Sequence, residues 1–144
     1  MILYLDTSAL VKRYIAEKGS DQVYAWINNA DMIATSIISR TEAVAAFSRA
    51  FRMKILSEED TQKAITAFRS EWESFPRLPL TEMTVARGDN LAWELGLRGY
   101  DAIHLASAII LQEEINFPIT MVTFDRQLWE AATTMGLGIL PDLL

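Results

Sequence analysis

Ile2-Leu3-Tyr4-Leu5-Asp6-Thr7-Ser8 decides how this chain is read. Its first four residues are apolar, too few and too uniform to alternate, and read as a short buried strand. An acid follows at once, and two hydroxyl residues then lead into a helix over 9–17, ended by Gly19. The same order recurs late in the chain. Ile119-Thr120-Met121-Val122-Thr123 reads as a strand, and Asp125 opens a helix to Met135. Asp101 stands ahead of Ala102-Ile103-His104-Leu105-Ala106, the start of a helix to Glu114 that is apolar over most of its surface.

The intervening sequence fills in the pattern. Ser20 or Asp21 caps a second helix, and Met32-Ile33-Ala34 forms a second strand. Ser39-Arg40-Thr41-Glu42 fits a capping box that opens a helix to Phe51. Ser57-Glu58-Glu59-Asp60 opens another, with Ile65, Phe68, Trp72 and Phe75 at helical spacing. Pro76 and Pro79 frame a short segment holding Leu78 and Leu80, and Thr81 or Thr84 starts a helix through Leu97. Gly138-Ile139-Leu140 is a last strand stub. Strands alternating with helices predict an α/β fold on a parallel sheet. No linker, repeat or low-complexity segment divides the chain, so 1–144 is expected to form a single domain.

Composition narrows the classes. Hydrophobic residues make up 51% and charged residues 22% of the 144, an ordinary globular balance. No stretch is long and apolar enough to span a bilayer, and no basic n-region precedes the first apolar run, so no membrane partner and a cytoplasmic location are expected. The chain has no cysteine and one histidine, which excludes disulfides, thiolate zinc sites and multi-histidine metal sites. Net charge is −6, the wrong sign for a bulk grip on nucleic acid. Setting aside Asp6, Glu42, Asp101 and Asp125 leaves thirteen cations against fifteen acids, nearly neutral. A nucleic-acid substrate would then depend on local arginines.

Those four acids carry the chemistry. Strand ends of an open α/β sheet gather at one edge, where ligands bind. Carboxylates brought together there cannot all stay ionised without a compensating cation. Hard divalent ions such as Mg²⁺ or Mn²⁺ prefer such oxygen ligands. Each acid also has a purely structural reading: Asp101 and Asp125 as helix N-caps, Glu42 as the partner of Ser39, Asp6 as a strand terminator. Capping explains each singly, but not their joint placement at strand–helix junctions.

Four segments together resemble the PIN-domain family, and within it the VapC-type toxins of toxin–antitoxin pairs. They are Met1 to Lys12, Ser39-Arg40-Thr41-Glu42-Ala43, Leu97 to Ala108, and Val122-Thr123-Phe124-Asp125-Arg126-Gln127-Leu128. The resemblance implies a three-layer α/β/α sandwich with a central, mostly parallel sheet. It implies a Mg²⁺- or Mn²⁺-dependent endoribonuclease in which Asp6, Glu42 and Asp101 are the core acids and Asp125 the fourth. Ser8 and Thr123 match hydroxyl positions beside the site. It further implies an RNA substrate, a cognate antitoxin protein and a toxin homodimer.

Other residues near the acids have plainer readings. Arg98 is expected either to contact substrate phosphate, to partner an acid, or to sit solvated in a loop. His104 reads as a packed or hydrogen-bonded core residue rather than a general base. Lys12 and Arg13 read as a solvated helix face. A haloacid-dehalogenase-type phosphotransferase is disfavoured because the second residue after Asp6 is Ser8, not an acid. A receiver domain is disfavoured because paired acids and a late lysine are missing. The remaining alternative is a non-catalytic module of the same fold that binds RNA or a protein.

Overall fold

In the computed structural model, which describes residues 1–144, five strands form one sheet in the order β3-β2-β1-β4-β5. They are β1 (Ile2–Leu5), β2 (Met32–Ser36), β3 (Arg77–Leu78), β4 (Ile119–Val122) and β5 (Gly138–Leu140). Every pairing is parallel, with Ile2 opposite Met32 on one side and Ile119 on the other. Both faces are covered, which is why the strands read as apolar runs rather than as alternating sequence.

The layers follow from the two-residue period of β1. Leu3 and Leu5 face one core, shared with α1 (Thr7–Leu10), α2 (Ser20–Asn28), α3 (Ser39–Arg52) and α4 (Glu58–Glu71). Tyr4 faces the other, shared with α5 (Glu82–Leu95), α6 (Gly99–Ile115) and α7 (Arg126–Thr134). The result is a three-layer α/β/α sandwich. Side chains buried as fully as Leu3, Leu5 and Phe68 contribute about 1.5–3 kcal/mol each by leaving water. The α6 helix is buried on most sides, as its apolar sequence predicts. It lies close against α5 because Gly88 faces it, where an added Cβ would sit 3.1 Å from Ile103.

Several local expectations change. The first helix is short: α1 gives way to a 3₁₀ turn over Val11–Arg13. Tyr14, Glu17 and Ser20 then bond locally instead of continuing it, Ser20 donating to the Ile15 carbonyl and accepting from the Glu17 N–H. Gly19 begins the next helix rather than ending the first. Its φ of 93° is the left-handed conformation, and a Cβ there would strike the Phe124 ring at 2.7 Å. Lys12 and Arg13 are not a solvated face. Lys12 is buried, donates to Glu17 and the Lys18 carbonyl, and lies 4.5 Å from the Phe124 ring centroid. Arg13 pairs with Glu71 at 2.7 Å. The Ser39–Glu42 capping box does not form. Ser39 is buried inside the first turn and bonds Thr35 at 2.7 Å, which leaves Glu42 for other partners. Phe68, Trp72 and Phe75 are buried and Ile65 packs against them, so that stripe is core.

Candidate active site

The topology sets the location. Chain connections from β1 run to β2 on one side, while β4 arrives on the other, so the crevice lies beyond the carboxyl ends of β1 and β4. Asp6 follows β1 directly, and Thr123 follows β4. Asp6 is only 3% exposed. Its Oδ1 accepts from the Ala9 N–H at 3.0 Å and from Ser8 Oγ at 2.7 Å; its Oδ2 accepts from Thr123 Oγ1 at 2.7 Å and from Ser8 at 2.9 Å. The cap on α1 therefore uses part of one oxygen. Burial pushes the Asp6 carboxyl above its ordinary pKa, outweighing the nearby His104 and these hydrogen bonds. All its bonded donors are neutral, so the carboxylate has no cationic side chain bonded to it.

Glu42 comes from the first turn of α3. Its Oε1 accepts from Thr7 Oγ1 at 2.8 Å and from His104 Nε2 at 2.7 Å. The other ring nitrogen of His104, Nδ1, meets the Tyr4 hydroxyl at 2.9 Å. That network assigns the Nε2 proton to the Glu42 side and lets Nδ1 accept from Tyr4. Both Tyr4 and His104 are buried. Burial raises the Glu42 pKa, but the His104 and Thr7 bonds win, and the net shift is downward. Burial likewise lifts the Tyr4 phenol far above its usual value. His104 is thus a hydrogen-bonded core residue, as its apolar neighbours predict. Sequence reasoning does not single out Thr7 or Tyr4. The only signal for Tyr4 is its polar-tipped ring in a strand of aliphatic residues beside Asp6.

The other two acids stand differently. Asp101 is in the first turn of α6 but does not cap it; position 98 holds that place. Asp125 does cap α7, accepting from the Leu128 N–H at 2.9 Å, and its own N–H donates to Thr123 Oγ1 at 3.1 Å. Arg98 joins the two: Nε to Asp101 Oδ2 at 2.9 Å and Nη2 to Asp125 Oδ2 at 2.7 Å. Its side chain is 69% exposed. These carboxylates push the Arg98 pKa up, the Asp101 bond most of all.

The four acids therefore stand along one sheet edge: Thr123 joins Asp6 to the Asp125 N–H, Arg98 joins Asp125 to Asp101, and Thr7, next to Asp6 in the chain, bonds Glu42. They do not all meet. As the side chains lie, no three acids or histidines are close enough to share a metal ion. In chemical kind the set suits a hard divalent cation: carboxylates and hydroxyls without thiols, and a buried carboxylate lacking an ionic partner.

The PIN domain family model matches residues 3–133. This chain belongs to the PIN-domain family. Ribonuclease VapC35 of Mycobacterium tuberculosis (strain CDC 1551 / Oshkosh) is 33% identical over 141 residues, covering 96% of this chain and 95% of that protein. Ribonuclease VapC45 of the same strain is 29% identical over 143 residues, covering 99% and 97%. A toxin–antitoxin complex from Klebsiella pneumoniae superposes with a TM-score of 0.64 at 16% identity over 96% of this chain and 95% of that one. VapBC-5 from Mycobacterium tuberculosis gives 0.56 at 17% identity over 96% and 94%. These structural likenesses show the shared PIN fold. No helix of this PIN domain is long and apolar enough to cross a membrane.

Proposed function

We propose that this PIN-domain protein is a metal-dependent endoribonuclease, the toxin of a VapBC-type toxin–antitoxin pair. The observation that carries the reading is Asp6, a buried carboxylate held by three neutral donors at the switch point of a PIN fold. The VapC ribonucleases, which align with it end to end, support RNA as substrate, and the toxin–antitoxin complexes that share its fold support an antitoxin protein as partner. A homodimer belongs to the same proposal.

Asp6 and Asp101 would be direct ligands of Mg²⁺ or Mn²⁺, with Glu42 and Asp125 completing the shell directly or through water. A bound divalent ion would supply an activated water and stabilise charge on the phosphate and the leaving oxygen. Ser8 and Thr123 fix both oxygens of Asp6, so its orientation is set before any ion arrives. His104 and Thr7 hold one oxygen of Glu42, Oε1. Asp101 becomes available when Arg98 lets go of it. Once released, the exposed Arg98 guanidinium can bind a substrate phosphate bidentately. No side chain acts as nucleophile.

The test is incubation of purified protein with total RNA, with Mg²⁺ or Mn²⁺ and with EDTA, alongside Asp6→Asn. Discrete cleavage that needs both metal and Asp6 is expected. Metal-independent cleavage, or wild-type cleavage by Asp6→Asn, would remove the metal-site reading. No cleavage at all would favour the non-catalytic RNA- or protein-binding module.

A further inference from the structure

The helix that delivers Glu42 to the site is also the basic part of an acidic protein. Residues 39–54, which span α3 and its C-terminal turn, hold Arg40, Arg49, Arg52 and Lys54 against Glu42 alone, a local charge of +3. The rest of the chain has nine cations against eighteen acids, −9. Six of the thirteen Lys and Arg side chains are in ion pairs: Lys12, Arg13, Lys63, Arg77, Arg87 and Arg98. Of the seven that are not, those four and Arg69 of α4 make five. Cations in an excess of acids tend to find carboxylates; gathering them apart from the acids costs like-charge repulsion, which a bound polyanion would relieve.

Three of these arginines line one open groove. Arg40 and Arg52 from α3 and Arg69 from α4 border a cavity of about 590 Å³, with Thr41 and Ser48 beside them. No carboxylate lines it. All three arginines are exposed, and the only side-chain bond any of them makes is Arg52 Nη1 to Ser48 Oγ at 2.7 Å. Thr41 immediately precedes Glu42, so the Arg40–Thr41 end of the groove lies at the same end of α3 as that acid. From Arg40 to Arg52 it follows the helix for roughly 18 Å at 1.5 Å per residue, long enough for several phosphates rather than one small anion. No aromatic residue lines it, so it offers a grip on backbone and not on bases. Only two lining side chains are apolar, where a protein interface would want a desolvated apolar centre.

We propose that the α3–α4 groove is the track that holds the RNA backbone leading away from the acid edge. This rests on the nuclease reading and adds to it the surface that anchors the substrate. It explains how a chain of net charge −6 handles a polyanion: attraction is concentrated along α3 and at Arg69 of α4, and the track starts one residue from Glu42.

The experiment measures binding of a fluorescein-labelled, unstructured 20-nucleotide RNA by anisotropy over a KCl series without divalent ions. The parent carries Asp6→Asn so that the probe survives. It is compared with the parent bearing Arg40→Gln, Arg52→Gln and Arg69→Gln. A charge-matched control carries Lys18→Gln, Lys63→Gln and Arg87→Gln instead. The groove variant is expected to bind roughly tenfold or more weakly near 100 mM salt, and its log–log salt slope to fall by about 2, some 0.7 for each single-strand phosphate no longer neutralised. The control is expected to bind like the parent. Equal affinity and slope for parent and groove variant would overturn the track, as would an equal loss in the control, or a parent that does not bind the RNA. Poly-glutamate of matched length is the second probe. If it needs the three arginines while RNA binding does not, the groove belongs to an acidic protein partner and the proposal fails. Cleavage of total RNA by the wild-type protein reports on the nuclease reading separately. A groove variant that binds RNA like its parent, beside a wild type that cleaves, would sink the track alone.

Discussion

The two halves of the acid edge are held in opposite ways. Asp6 and Glu42 form the inner half, fixed by Ser8, Thr123, Thr7 and the buried Tyr4–His104 pair. Asp101 and Asp125 form the outer half: they are no more exposed than Glu42, but an exposed arginine ties them. Hydroxyl, backbone and imidazole donors orient the inner carboxylates, and Thr123 and His104 are packed in place, so they lose little entropy in doing so. A solvated ion pair such as the outer one contributes little stability and is easily exchanged. The contrast points to a preorganised inner half that waits for a cation, and an outer half whose present cation can be displaced.

Asp6→Asn is the severest test of this contrast. Metal-dependent cleavage should fall by roughly two orders of magnitude or more. The fold should survive with a higher melting temperature at pH 7. The sign follows from burial: a carboxyl whose pKa is raised on folding lowers stability as pH climbs from its ordinary value through the raised one, and the neutral amide escapes that loss. A lower melting temperature would mean that the hydrogen bonds to Asp6 outweigh its desolvation.

Next comes Ser8→Ala, which removes the hydroxyl bonded to both Asp6 oxygens. Mn²⁺ affinity, read by calorimetric titration, should weaken by roughly 10- to 100-fold. An unchanged affinity would show that the inner half is not preorganised by this residue.

Arg98→Gln probes the outer half and should act in the other direction. With the competing guanidinium gone, Mn²⁺ should bind roughly two- to fivefold more tightly. Weaker binding would show that Arg98 gathers the acids rather than occupying them.

The smallest effect is expected outside both halves. Arg13 holds Glu71 below its usual pKa, with a further bond from Tyr14. That pair stabilises fully above the ordinary glutamate pKa and loses its contribution as pH falls through the lowered one. Glu71→Gln should flatten the acid limb of thermal unfolding by at most about 0.5 kcal/mol, since both groups are partly solvated. A larger change would give this pair a role in holding α4 against the chain after α1.

Much of the molecule is written locally. The strand–acid–helix junctions at Asp6 and Asp125, the buried α6 and the apolar stripe that runs from α4 to Phe75 depend on period and adjacency, which a sequence displays directly. The acids' positions at one edge follow from the α/β pattern. Which neighbour each side chain chooses is not legible in this way. Ser39 and Glu42 have the spacing of a capping box, yet Ser39 bonds Thr35 and Glu42 bonds Thr7 and His104, because β2 and α6 bring partners that spacing cannot foresee. Lys12 reads as solvated and is buried, since Phe124 arrives over it from beyond β4. Arg98 lies three residues from Asp101, within sequence reach, but its bond to Asp125 spans 27 residues and exists only because α6 and α7 start side by side. The elements, their burial and the acids' chemistry are thus properties of the chain alone, because they depend on period and residue type. The hydrogen-bond partners, the split into inner and outer halves and the basic groove belong to the folded molecule, because each joins residues far apart in the chain through a distance that folding alone sets.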